Sequence, residues 1–206
     1  SPSMERLVDL YTTAIECGCF EEIREEAEQR MTELRSRSGT LSNNGYNRER
    51  HMAFVRDGVF FNALLLAGKY EEVFENCRKA GPLGWSNSDH PKPVIVAYLM
   101  IVLSKGGEGA KVLLKQWEDA IVQTCYNGGT EYVGKYRSII EHTKTSIALT
   151  GEQEQFFLRW CMDEVGKRVD AIVGNQHRGS YHKAAGLLVA MAETLANRGE
   201  KQAGAN

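Results

Sequence analysis

Cys17 and Cys19, one residue apart, are the sharpest candidate for metal chemistry in the chain. Two thiolates can share a zinc ion, but zinc asks for four ligands in a tetrahedron. No second Cys/His pair has ligand spacing: Cys77, Cys125 and Cys161 are isolated, and His90 sits in a proline-rich stretch. The pair also straddles Gly18, which reads as a helix end. Buried thiols packing as small hydrophobes are the expectation, and no metal or cofactor is assigned.

The other chemical motifs are incomplete. His51, His90, His142, His177 and His182 include no pair four apart, so no two stack on one helix face as ligands. Lys105-Gly106-Gly107-Glu108-Gly109-Ala110-Lys111 is glycine-rich, but it lacks the spacing of a phosphate loop and the Ser/Thr after lysine that would hold magnesium. Glu21, Glu22, Glu25, Glu26 and Glu28, interleaved with Arg24 and Arg30, read as a solvated helix face. No catalytic residue is assigned. An enzymatic site would have to be assembled in a pocket from distant groups such as His142, Cys161 and Glu164. Trp85, in a loop, reads as a helix cap or a partner anchor.

One polar stretch carries more cations than anions. Between residues 167 and 183, Lys167, Arg168, Arg178 and Lys183 accompany the single Asp170. Such a patch could bind phosphate or an acidic partner. The structural alternative is an inter-helix turn, with Gly174 and Gly179 closing and reopening the chain. Ser180 would cap the last helix, and Tyr181 would turn inward.

These residues belong to a chain of 206 residues with 42% apolar and 25% charged side chains, an ordinary balance for a globular protein with a real core. The formal net charge of −2 gives no global field that would recruit nucleic acid or an anionic membrane. Five cysteines at irregular spacing are no disulfide framework. The longest apolar run, residues 94–103, is too short to cross a bilayer, which takes roughly 20 residues. A cytoplasmic setting is expected. Ser1-Pro2-Ser3 before Met4 reads as a cloning remnant, residues 4–199 as one domain, and residues 200–206 as a flexible tail.

Apolar residues recur at helical spacing nearly throughout. Helices are expected along Leu7–Ile15 and Ile23–Leu34, on either side of Gly18, then from Tyr46 to Ala67, and after Gly68. Further helices follow over 93–104, 110–124 and 131–149, then one lined by Phe157, Cys161, Val165, Val169 and Ile172. The last is lined by Tyr181, Ala184, Ala185, Leu188, Met191 and Leu195. The polar segment from Ser36 to Gly45 reads as a loop. Helix ends are expected near Gly18, Gly68, Gly107, Gly151 and Gly199. Their spacing of about 40–50 residues suits helical repeats, with a plain helical bundle as the alternative.

One unit resembles a known family. Gly68, Tyr70 and Ala80, in Gly68-Lys69-Tyr70-Glu71-Glu72-Val73-Phe74-Glu75-Asn76-Cys77-Arg78-Lys79-Ala80, match the helix turn of a tetratricopeptide repeat. Val73 and Phe61 depart from that family's preferences, and the spacing exceeds its period of about 34 residues. The resemblance implies irregular antiparallel hairpins stacked as an α-solenoid, and a scaffold that binds proteins or peptides. Separately, Arg178, Tyr181, Ala184-Ala185 and Leu187-Leu188 are similar to helical tails of bacterial proteins that carry a SWIM-type zinc finger. That finger needs Cys-x-Cys and a later Cys-x-His. This chain has only Cys17-Gly18-Cys19, so no zinc function is carried over.

The expected fold is therefore all-α, an array of about five tetratricopeptide-like hairpins. The expected function is non-catalytic protein–protein recognition, as a regulator or a piece of a larger bacterial protein. The candidate contact residues are Arg48, Arg50, Arg56, Asn62, Tyr98, Tyr132, Lys135 and Arg137, with Arg178 and Lys183 near the last helix. A nucleic-acid-associated module using residues 167–183 is one alternative; an enzyme with an unrecognised site is the other.

Overall fold

The computed structural model describes residues 3–40, 57–79, 81–83, 92–105, 111–124, 130–143 and 149–199. They form α1 (Met4–Cys17), α2 (Phe20–Thr40), α3 (Asp57–Leu66), α4 (Tyr70–Cys77) and α5 (Lys92–Leu103). Then come α6 (Lys111–Thr124), α7 (Thr130–Thr143), α8 (Gly151–Gly174), a single 3₁₀ turn (Arg178–Ser180) and α9 (Tyr181–Asn197). No strand occurs among the described residues, so the all-α expectation holds. The run 94–103 is helical, as its length suggested. The expected loop from Ser36 begins too early, because α2 continues to Thr40. There Ser36 turns its hydroxyl back onto the Thr32 carbonyl, at 2.9 Å, a bond that serines make within helices.

Local chemistry sets the helix ends. Ser3 is the N-cap of α1 and accepts from the Arg6 amide at 3.3 Å. At the end of α1, Gly18 adopts φ 71°, with Gly18 N–H donating to Ile15 O and Cys19 N–H to Ala14 O. Gly68 repeats this closure after α3 at φ 76°. A left-handed residue followed by these paired bonds satisfies carbonyls that the helix leaves open. Gly151 corrects the expectation: it opens α8 instead of ending a helix. Thr150 and Gln153 form a reciprocal capping box there, at 3.2 and 3.0 Å. Gly174 is corrected too. It is the last residue of α8, and the left-handed position falls on Gln176 at φ 53°.

Two helices form the interior. In α5 nearly every residue from Lys92 to Leu103 is buried, and in α3 every residue from Val59 to Leu66 is. A helix apolar on all sides must be surrounded. Around α5 lie α3, α6, α8 and α9; around α3 lie α1, α2 and α4. Neighbours in sequence pair (α1 with α2, α3 with α4, α5 with α6, α8 with α9), while α7 returns to α1 and α9 to α6. The Phe74 ring of α4 meets Phe156 and Trp160 of α8 edge-on, at 4.7 and 5.3 Å. Such edge contacts suit the ring quadrupole.

One ion pair lies inside this packing. Lys92 Nζ, at the start of α5, stands 3.0 Å from Glu164 Oε2 of α8, with both side chains almost fully buried. The other Glu164 oxygen meets Lys167 at 3.1 Å. A lysine at a helix N-terminus opposes the helix dipole, so Lys92 depends on that carboxylate.

Two outcomes follow. Gln176→Gly relieves the left-handed strain and raises unfolding stability in urea by roughly 0.5–1 kcal/mol. Glu164→Ala removes the carboxylate that faces the buried Lys92 ammonium and costs about 3–5 kcal/mol, whereas Lys92→Met with Glu164→Leu restores most of it. Urea midpoints of the three variants check both.

Candidate interaction surface and pocket

The C-terminal helix α9 is fastened by charged side chains at helix ends. Glu193 accepts from the Leu113 and Val112 amides at the start of α6, at 2.8 and 3.3 Å. It thereby fills donors that a helix N-terminus cannot satisfy itself. Arg198, its side chain only 5% exposed, donates to Leu103 O at the end of α5 and to Glu154 in the first turn of α8, both at 3.2 Å. Ala184, Ala190, Met191 and Leu195 pack inward.

The opposite side of α9 is apolar as well. Tyr181, Ala185, Leu188, Val189, Ala192 and Ala196 are all exposed, with Leu188 at 52%, Val189 at 45% and Tyr181 at 41%. Their spacing places them on one helical stripe about 24 Å long. No charged residue falls on it. Near its start lie the exposed cations Arg178 and Lys183.

A pocket of about 300 Å³ opens on another side of α9, between α5, α6 and α8. Its buried floor is formed by Val96, Ala97, Met100, Leu113 and Ala190, with Leu187 beside them. Its more exposed mouth carries Gln116, Asp119, Arg168, His182 and Lys183. Gly186 faces the Gln116 side chain of α6, whose flexible amide end would lie 2.7 Å from a Cβ at that position. Burial pulls the Arg168 guanidinium below its ordinary pKa, though arginine stays charged throughout the working range.

The expected contact residues fare differently. Arg48, Arg50, Arg56 and Trp85 lie outside the described residues. Asn62 and Tyr98 are corrected: at 1% and 0% exposure they are interior residues, not contact residues. Asn62 Oδ1 accepts from the Tyr136 hydroxyl, which joins α3 to α7. The Tyr98 hydroxyl lies beside Tyr70 and Thr143, and burial raises its pKa to about 12. Lys135 bridges α7 to α1 through Asp9 at 2.8 Å and lies over the Tyr132 ring. Arg137 pairs with Glu118 of α6. Lys135 and Arg137 thus tie helices together, and Tyr132 lies beneath Lys135 on the same helix. Arg178 and Lys183 stay at the surface, and Lys183 also lines the pocket.

Three details of the C-terminal turn are corrected. Tyr181 faces outward, because the inward stripe runs through Ala184, Met191 and Leu195. Leu188 and Ala185 go outward with it. Ser180 makes no side-chain cap bond and is itself buried. The cations of residues 167–183 are divided: Lys167 is bound to Glu164, while Arg168 is turned to the pocket. Sequence reasoning missed Glu193 as a remote cap and Gln116 beside Gly186, both relations across long sequence separations.

The suggested catalytic triplet does not form a common site. His142 is exposed on α7 and meets the Phe20 ring edge-on at 4.9 Å. Cys161 is buried in α8, its thiol 3.9 Å from Val96 O. Glu164 is held by Lys92. Burial pushes the Cys77 thiol up to about 12 and raises Cys161 as well. Among the described residues no three His, Cys, Asp or Glu side chains gather as a metal site. No described helix is long and apolar enough to cross a membrane.

No family model, curated protein or solved structure matches the chain.

Raised thiol pKa values deplete the thiolate that reacts. Cys17 is exposed and Cys19 half-buried, so the expectation of a buried thiol pair there is corrected. In a Cys125→Ser background, iodoacetamide at pH 8 is expected to alkylate Cys17 first. Cys77 and Cys161 should react only after urea unfolding, by peptide mass mapping. Rapid labelling of either in the folded protein would contradict the packing of α4 and α8.

Proposed function

We propose that this chain is a non-catalytic protein-recognition module and that α9 is its docking helix. The observation that carries this reading is the exposed, uncharged apolar stripe from Tyr181 to Ala196. Exposed apolar surface of this kind, rimmed by polar residues, is characteristic of interaction sites. Three alanines along the stripe permit close approach of another helix, while Tyr181, Leu188 and Val189 supply the anchoring bulk. Arg178 and Lys183 at one end select the partner's charge. The expected occupant is an amphipathic helix of another protein, apolar along one face and acidic at the end that meets these two cations.

The tetratricopeptide-like reading is supported by the α3–α4 turn, where Gly68 closes one helix and Tyr70 opens the next. Sequential pairing of helices supports hairpin units. The returns of α7 to α1 and of α9 to α6 depart from a regular stack, in which each unit meets only its neighbours. The scaffold we infer is therefore a closed variant of that arrangement, with its recognition surface on the last helix.

Leu188→Glu places a charge in the centre of the stripe without touching the core. Immobilised wild type, Leu188→Glu, Lys183→Glu and a control, Glu25→Ala on α2, are compared for partner capture. A partner held by wild type and control but lost from Leu188→Glu, and weakened by Lys183→Glu, is the expected result. The same partner retained equally by all four proteins would remove α9 as the docking helix.

A further inference from the structure

The turn between α1 and α2 carries chemistry of its own. We infer that Cys17 and Cys19 form a dithiol site that exchanges with small disulfides and closes into a reversible Cys17–Cys19 disulfide. The site belongs to other helices than the stripe on α9, so it does not depend on the docking of a partner there.

Accessibility is the first observation. Both thiols are free, Cys17 exposed and Cys19 half-buried. A Cβ placed on Gly18 between them would meet nothing within 4 Å, so the turn is open to solvent. Cys77 and Cys161, by contrast, are buried. No third His, Cys, Asp or Glu gathers with the pair as a metal site among the described residues. That leaves each thiol the other as its reaction partner.

Reach is the second. Across one extended residue, Cα atoms stand about 6.6–7.2 Å apart, at the limit that a disulfide spans. Across one right-handed helical residue they are closer, but the chain turns through about 200° and the side chains point to opposite sides. Gly18 escapes both cases, with φ 71° and ψ 22°. These are helical angles of the opposite hand, so the Cα atoms of Cys17 and Cys19 stand about 5.4 Å apart, as across a right-handed helical residue. Disulfides favour about 5.5–6 Å. The reversed hand also brings the two Cβ atoms to one side of the turn, about 4.5 Å apart with standard bond geometry, at the upper end of the disulfide range.

Fixation is the third. Gly18 N–H donates to Ile15 O at 3.1 Å and Cys19 N–H to Ala14 O at 2.9 Å, while Cys19 O accepts from Ile23 N–H at 3.2 Å. All three are backbone bonds, and a bridge between the side chains leaves them intact. The thiols are thus held near each other in advance, which raises the effective concentration of one for the other. The Cys17 thiolate attacks one sulfur of a small disulfide, whose S–S bond breaks and whose other half leaves as a thiolate. The Cys19 thiolate then attacks the Cys17 sulfur and releases the second half. The two cysteines lose two protons and two electrons, and the small disulfide takes up both to become two thiols. An excess of small thiol reverses the sequence.

The full chain with Cys125→Ser is equilibrated with 2-hydroxyethyl disulfide and 2-mercaptoethanol, folded and in urea, then quenched in acid and mapped by peptide mass. The probe is neutral, so the exposed carboxylates Glu16, Glu21 and Glu22 beside the turn do not bias its approach. The expected folded product is a Cys17–Cys19 peptide lighter by two hydrogens, with Cys77 and Cys161 still thiols. Its ratio to the mercaptoethanol adduct should be about tenfold or more higher than in urea. Cys19→Ser should stop at the adduct on Cys17. An adduct on Cys17 that persists in the folded chain with Cys19 present, or a ratio no higher than in urea, overturns the inference. The comparison of folded chain with urea needs no change at Cys19 and holds if Cys19→Ser fails to fold.

Discussion

Open helix ends govern how this molecule is put together. Every helix leaves amide donors at its start and carbonyl acceptors at its finish, and burial makes them costly to leave unmet. Several of these ends are satisfied by side chains far away in sequence. Arg24 of α2 donates to Leu66 O at the end of α3, at 3.2 Å. Glu28 of α2 pairs with the side chain of Lys69, which leads into α4, at 2.8 Å, an ion pair that joins the two helices without filling a backbone group. On the other side of the molecule Glu193 completes the start of α6, and Arg198 the end of α5. Each such bond fixes a helix end against a neighbour and so sets the packing geometry as well as the local hydrogen bonding.

The interior helices α3 and α5 make this arrangement necessary. Being apolar on all sides, they can be covered only by helices from both earlier and later in the chain. Coverage from both directions draws α7 back to α1 and α9 back to α6. The buried Lys92–Glu164 pair belongs to the same logic. Stability alone would be served as well by an apolar pair. An ion pair favours one register of α8 on α5, since a shift of one residue would break the contact between these two buried groups.

How far the sequence could be read follows from which relations are local. Helix periods, the left-handed closures at Gly18 and Gly68, and the buried character of residues 94–103 depend on neighbours within a few positions, and all are visible in the order of residues. The stripe of α9 was legible as apolar but not as outward-facing. Tyr181, Ala185 and Leu188 alternate with Ala184, Met191 and Leu195, and an alanine-rich helix with two apolar sides does not say which one is covered. Tyr98 and Asn62 were misplaced for a related reason: a polar group on an apolar helix looks like a surface marker until its partner across the core is known. Pocket residues such as Arg168 and Gln116 come from different helices, and no local pattern connects them.

The bond from Glu193 to the start of α6 spans 80 residues. During synthesis, which runs from the N-terminus at about 5–20 residues per second, α6 is made several seconds before its cap exists. Until α9 emerges, the first amides of α6 and the last carbonyls of α5 can bond only to water, and the floor of the pocket faces solvent. The side between α5 and α6 therefore closes late, and a chain cut short before Glu193 leaves α5, the most apolar helix, covered by α3, α6 and α8 but open where α9 would lie.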